Sequence, residues 1–202
     1  MQIAEIKNES KVRILDAAVR VIRTKGYAAT RVEDICEAAG LTKGGFFHHF
    51  KSKEELAAAA VEYFSAKSES LYADAPYRKL ADPLERLLGY VEFRKSILEG
   101  ELQDYTCLIG TMVQETYATH PHIREVCHRC IGAHTAVLVA DIEAAIRKYG
   151  VSPQWTAKSL AYYTQSVIQG AFILAKAQHG PDVAVSSLDH LRRYLKLIFY
   201  RS

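Results

Sequence analysis

The sequence predicts an all-α protein. Apolar residues recur at spacings of three and four along most of the 202 positions, glycines and prolines punctuate those runs, and no segment alternates apolar with polar residues as a half-buried strand would. Thr30 and Glu33 have the spacing of a capping box, so a helix should start at about Arg31 with Val32, Ile35, Cys36 and Ala39 on its buried face. Gly40 should end it, because glycine tolerates a left-handed backbone, and Leu41 is placed to plug the corner that follows. Thr42 should cap the next helix, Lys43 to His49, held to the core by Phe46 and Phe50. Ser52 and Glu55 form a second capping box and open a helix to about Leu71, with Leu56, Ala59, Ala60, Tyr63 and Phe64 inward.

Around Pro76 a loop is expected. Asp82, Pro83 and Glu85 supply a cap, a first-turn proline and a capping-box acid for a helix whose Leu84, Leu87, Leu88 and Val91 face the core up to Gly100. A shorter helix should cover Tyr105 to Tyr117. Pro121 opens a long one ending at Gly150, with Ile123, Val126, Cys127, Cys130, Ile131, His134, Val137, Leu138 and Ile142 on one side. Ser152 and Pro153 start the next, which runs to about Gln178. After the break at Gly180 and Pro181, a last helix should run from Val183 to Phe199.

Residues 31–50 thus set out helix, tight turn and helix, a module whose common use is in the major groove of DNA. From Thr42 to Lys53 there are three lysines and no acid, a polarity suited to a phosphate-lined groove. Gly44 and Gly45 each cost a helix about 1 kcal/mol relative to alanine. Their missing side chains would let the backbone approach base edges or thymine methyls. The competing reading is that the glycines permit a close helix crossing and the lysines form a solvated face.

The stretch from Thr30 to Leu56, T-R-V-E-D-I-C-E-A-A-G-L-T-K-G-G-F-F-H-H-F-K-S-K-E-E-L, resembles the DNA-binding head of the tetracycline-repressor (TetR) family of transcription regulators. Ile35, Ala39, Gly40, Leu41, Thr42, Gly44, Phe46, His49, Phe50, Ser52, Lys53, Glu54 and Leu56 match the family pattern. Ile14 to Tyr27 is similar to the family's first helix with its glycine stop. The resemblance implies a three-helix head at residues 8–54, and a helical ligand-binding and dimerisation body at residues 55–202. It also implies Thr42, Lys43, Gly44 and Gly45 at the bases, with His48 and His49 near bases or phosphates. Thr30, Arg31 and Lys53, at helix starts, are assigned to phosphates. His49 could instead pack against the first helix. Phe47 stands where the family usually has a tyrosine, whose phosphate hydrogen bond it cannot make. Cys36 replaces a usual alanine and reads as a small core residue.

In the body, Gln169 to Ala177 resembles the family's dimer segment, which implies a two-fold interface using Gly170, Ala171, Ala175, Leu188, Leu191 and Leu195. Tyr90, Phe93, Met112, Glu115 and Tyr117 are candidates to line an effector pocket, as are Tyr162, Tyr163, Gln165 and Gln169, since pockets between helices mix aromatics with a few polar groups. Cys127, Cys130 and His134, three and four apart, could hold a soft metal, though cysteines on an apolar helix face are commonly buried.

The resulting expectation is a sequence-specific, DNA-binding transcriptional regulator. It would be a repressor released from a palindromic operator by a small molecule. A metal-responsive regulator and a nonspecific architectural DNA binder are the alternatives. No enzyme motif is found, neither a G-x-S-x-G elbow nor a phosphate loop nor a metalloprotease helix, and no cofactor is expected. A net charge of +3 argues for a local basic patch rather than a polybasic coat. Glu5, Lys7, Glu9, Lys11 and Arg13 leave no apolar core for a secretion signal, and the uncharged run from Ser159 to Ala175 is too short and too polar to span a bilayer. The protein is expected in the cytoplasm, with its four cysteines as thiols.

Overall fold

A computed structural model describes the backbone of residues 2–200 and the side chains of residues 9–200. The side chains of Glu5 and Lys7 lie outside the described residues. Ten α-helices and one 3-10 turn make up the regular structure among them. They are α1 (Gln2–Lys25), α2 (Val32–Ala39), α3 (Lys43–His49), α4 (Lys53–Ala73), the 3-10 turn Pro76–Lys79, α5 (Pro83–Ser96), α6 (Leu102–Tyr105), α7 (Leu108–Thr116), α8 (Pro121–Tyr149), α9 (Ala157–Gln178) and α10 (Asp182–Tyr200). The described residues contain no helix long and apolar enough to cross a membrane.

The chain divides into two compact units, Met1–Ser68 with Cys107–Cys130, and Glu69–Thr106 with Ile131–Ser202. In the first, α1 packs on α2, α3 and α7. Its core holds Ile14, Ala18, Ile22, Ile35, Phe46, Leu56, Leu108, Met112 and Ile123. In the second, α9 lies along α10 and α10 along α5, around Leu84, Leu87, Leu88, Ile142, Ile168, Leu188 and Leu195.

Local chemistry moves several expected boundaries. Thr30 does not cap α2. Gly26, at φ +85°, turns the chain so that the Thr30 hydroxyl comes back to donate to the Gly26 carbonyl (2.6 Å). Arg31 becomes the cap position, and the Asp34 carboxylate accepts from its backbone N–H (2.7 Å). The Glu33 box is therefore displaced by one residue. At α4, Ser52 Oγ accepts from Glu55 N–H (3.1 Å), while the Glu55 carboxylate takes the Lys51 N–H (2.8 Å).

The helix expected over Tyr105–Tyr117 is two helices. Thr106 is extended at ψ 158° and ends α6, and Cys107 Sγ accepts from Gly110 N–H (3.5 Å) to start α7. The start of α9 moves from Pro153 to Ala157, because Thr156 and Ser159 exchange hydroxyl and backbone bonds of 3.0 and 3.1 Å there. Pro76 opens a 3-10 turn rather than an irregular loop.

In the second unit, Asp82 caps α5 by accepting from Leu84 N–H (2.8 Å) and Glu85 N–H (3.0 Å). Its other oxygen meets Lys148 Nζ (2.7 Å) and the Tyr149 hydroxyl (2.9 Å). Desolvation acts against ionisation, but these donors outweigh it and hold the carboxyl at about 2. Asp141, 5% exposed, is gripped by Arg78 (2.6 Å) and Arg86 (2.8 Å). A buried carboxylate between two guanidiniums ties the 3-10 turn and α5 to α8.

Candidate functional site

In the head, Gly40 sits at φ +64° and lets Leu41 N–H reach back to the Cys36 carbonyl (2.9 Å). Arg13 secures the turn by donating to the Ala39 and Gly40 carbonyls. Thr42, extended, accepts from Gly45 N–H (3.2 Å) and starts α3. Phe46 is fully buried against Phe50, with ring centroids 6.0 Å apart. This inward anchor leaves Thr42, Lys43, Gly44, Phe47 and His48 on the exposed face of α3, with Gly45 and His49 half-buried.

The two glycines of α3 are not required by packing. A β-carbon on Gly44 would meet Thr42 Oγ1 at 3.7 Å, and one on Gly45 the same atom at 3.7 Å and Leu41 Cβ at 3.9 Å. Those are ordinary contacts, so no close helix crossing within the described residues explains them. Lys43 pairs with Glu33 on α2, an exposed ion pair that holds the Glu33 carboxyl below its usual range. His49 Nε2 lies 2.7 Å from Ser10 Oγ on α1.

Two residues assigned to phosphates have structural roles instead. Thr30, 1% exposed, is spent on the Gly26 carbonyl. Lys53 Nζ donates to the Tyr27 and Thr30 carbonyls, both at 3.0 Å, and lies 4.2 Å from the Tyr27 ring centroid. Burial pushes its pKa down while Glu115 pushes it up. Arg31 remains exposed.

Glu115 is the least expected member of this unit. Proposed as pocket lining, it accepts from Ala28 N–H (2.8 Å) and lies against Gly26, where an added β-carbon would come within 2.5 Å of its carboxylate. It thus closes the turn between α1 and α2. His120 packs edge-on against Tyr27 at 5.1 Å. Met112 is buried in the same unit and Tyr117 is exposed.

Tyr90, Phe93 and Gln165 do come together in the second unit. Gln165 Nε2 donates to the Tyr90 hydroxyl (2.9 Å), which lies 2.9 Å from His134 Nε2. Tyr72 and Tyr77 pack on both Tyr90 and Phe93 at centroid distances of 5.8 to 6.0 Å. Arg94 reaches the Tyr72 hydroxyl, with its guanidinium carbon 5.5 Å from the Tyr72 ring and 5.2 Å from that of Phe172. Tyr162 and Tyr163 are exposed and Gln169 half-buried. Sequence reasoning missed Arg94, yet Leu87, Tyr90, Val91 and Arg94 are spaced three, one and three, so an arginine completes the buried stripe of α5.

The dimer residues need correction as well. Ala171, Ala175, Leu188, Leu191 and Leu195 are all buried within this one chain, because α9 and α10 turn those faces toward each other and toward α5. Gly170 alone of the set has open space beside it. The large apolar residues left outward on α9 and α10 are Tyr162, Tyr163, Ile173, Leu174, Tyr194, Leu197 and Tyr200, with the Tyr163 and Tyr194 rings 5.2 Å apart. Cys127 is fully buried, and burial raises its thiol to about 12. His134 Nε2 is engaged by Tyr90. No three His, Cys, Asp or Glu residues among those described gather as metal ligands.

A three-helix head with a capped helix-turn-helix, joined to a helical body, defines a DNA-binding transcriptional regulator. Residues 14–60 match the family model "Bacterial regulatory proteins, tetR family". Residues 83–183 match "Transcriptional regulator LmrA/YxaF-like, C-terminal domain". The chain belongs to the TetR family of transcriptional regulators. It is 27% identical over 169 residues to the HTH-type transcriptional regulator LmrA of Bacillus subtilis, covering 83% of this chain and 86% of that one. The HTH-type transcriptional repressor KstR2 of Mycobacterium tuberculosis is 35% identical over 82 residues, 41% of this chain and 40% of that one. Among solved structures, a TetR transcriptional regulator from Chloroflexus aurantiacus superposes with a TM-score of 0.84 at 26% identity, covering 95% and 96% of the two chains.

Proposed function

We propose that the protein is a homodimeric repressor that binds a palindromic operator through two copies of α3 and leaves it when a small molecule occupies the body. The head is assigned to residues 8–54 and the body to residues 55–202. Thr42 through Gly45 meet bases, and Phe47, His48 and His49 complete the face toward DNA. Arg31 positions the backbone, whereas Thr30 and Lys53 shape the head that carries them. The observation that carries the reading is the pair of glycines at which a side chain would meet only ordinary contacts: a helix that keeps two costly residues without internal need has a surface meant to be approached closely.

Dimerisation is assigned to the outward apolar face of α9 and α10, which repeats on both copies under a two-fold axis. The effector acts by its difference in affinity for two states of the body, only one of which suits the operator. The protein acts in the cytoplasm, where its DNA is. Selection of bound sites from random duplex DNA tests this reading. The expected product is a palindrome with half-sites about one helical turn apart. Uniform recovery without a shared sequence would instead mark a nonspecific architectural binder and overturn it.

A further inference from the structure

Phe47 stands out in the head by its exposure. Of the large apolar side chains described there, Val12 and Phe47 are the exposed ones, and Phe47 is the more open at 54%. It follows the fully buried anchor Phe46 on α3, and the two rings meet edge-on with centroids 5.1 Å apart and planes at 82°. A core residue thus braces an outward one. Gly44, three residues back, lies on the same side of the helix. Apart from the helix's own backbone and the two chain neighbours, a β-carbon added at Gly44 would find only Thr42 Oγ1 within 4 Å, at 3.7 Å. The Phe47 ring therefore leaves that space open. The result is a shallow notch beside the ring, floored by bare backbone, in which one carbon fits at ordinary contact distance.

A phenyl ring has no hydrogen bond to offer DNA. It cannot hold a phosphate oxygen, and covering the polar edges of guanine, adenine or cytosine would strip water from them without replacement. The apolar group that bases display in the major groove is the C5-methyl of thymine. We propose that Phe47 reads a thymine in each operator half-site, its ring packing on the C5-methyl as that methyl enters the notch over Gly44. The inference rests on the reading of α3 as the helix in the major groove and names the base that Phe47 selects.

Uracil is thymine without that methyl and keeps its hydrogen-bonding groups, so the experiment deletes the methyl alone. The operator selected from random DNA is synthesised with deoxyuridine in place of thymidine, one position at a time, and its affinity for the full-length protein is measured by fluorescence anisotropy. One position per half-site is expected to stand out. Binding there should weaken about fourfold with one half-site substituted and about fifteenfold with both, which is what burying one methyl per half-site contributes. Phe47→Ala, a change at an exposed side chain, should weaken binding to the thymine operator and abolish the difference between thymine and uracil at that position. Half-sites with no uracil-sensitive position, a penalty spread evenly along the site as altered DNA stiffness would give, or a thymine preference that persists in Phe47→Ala would each overturn the proposal. The wild-type scan decides even where the variant binds too weakly to measure. A selection that yields no shared sequence overturns the regulator reading, and this inference with it, whereas a selected operator indifferent to uracil overturns this inference alone.

Discussion

Lys53→Met separates a residue that holds the head together from one that holds DNA. The substitution keeps most of the aliphatic stem and removes an ammonium with two carbonyl acceptors at 3.0 Å and an aromatic ring at 4.2 Å. Hydrogen bonds to a charged group contribute about 1.5–3 kcal/mol each, and the ring contact about 0.5–1 kcal/mol. Desolvation, which lowers this lysine's pKa, takes part of that back. A net loss of about 2–3 kcal/mol is expected, or a fall in Tm of roughly 4–12 °C for a chain of this size. Differential scanning calorimetry on the purified variant measures it. Well below the new Tm, the salt dependence of operator affinity should match the wild type, because no phosphate contact has gone. An unchanged Tm with a salt slope shallower by about one per head would refute this assignment and return Lys53 to the phosphates.

The remaining expectations concern the other parts of the chain. Gly44→Ala should raise stability by about 0.5–1 kcal/mol in urea unfolding, since the new methyl meets nothing closer than 3.7 Å, while operator affinity measured by fluorescence anisotropy falls. Asp82→Ala removes a cap and should cost about 1–2 kcal/mol at neutral pH. Because the folded-state pKa is depressed to about 2, the carboxylate's contribution is full above its ordinary range. It is lost as pH falls, so the gap between wild type and variant should narrow from about pH 5 to about pH 2 in urea titrations. Leu174→Asp, on the outward face of α9, should turn a dimer into a monomer in sedimentation at micromolar protein, whereas an unaltered sedimentation coefficient would place the interface elsewhere.

The parts of the fold that depend on near neighbours were readable. Gly40, Thr42, Asp82 and the Pro121–Gly150 helix stand where spacing and punctuation put them, as each is set by residues within one or two turns. The errors arose where a second partner competes, one turn away in one case and far along the chain in another. Thr30 has the right neighbour for a capping box, but the turn at Gly26 offers its hydroxyl a carbonyl that no local pattern reveals. Glu115 looks like any acid near aromatics, and its partner is 87 residues away. On α9 and α10, periodicity identifies an apolar stripe without saying whether it faces its own chain or a second copy. Small residues proved to mark the chain's own packing, while the larger Ile173 and Leu174 were left outside. Arg94 went unread although it continues the apolar stripe of Leu87, Tyr90 and Val91 on α5.

The reach of Glu115 back to Ala28 has a consequence for how the protein comes into being. The head is one compact unit only together with residues 107–130, so a fragment cut at residue 60, the end of the matched family segment, leaves the Ala28 N–H without its acceptor and α1 without the α7 face it packs on. On the ribosome, the first 60 residues must wait for another 55 before that acceptor exists, a delay of about 3–11 s at ordinary synthesis rates. The reader of DNA is thus among the first segments made and among the later ones finished.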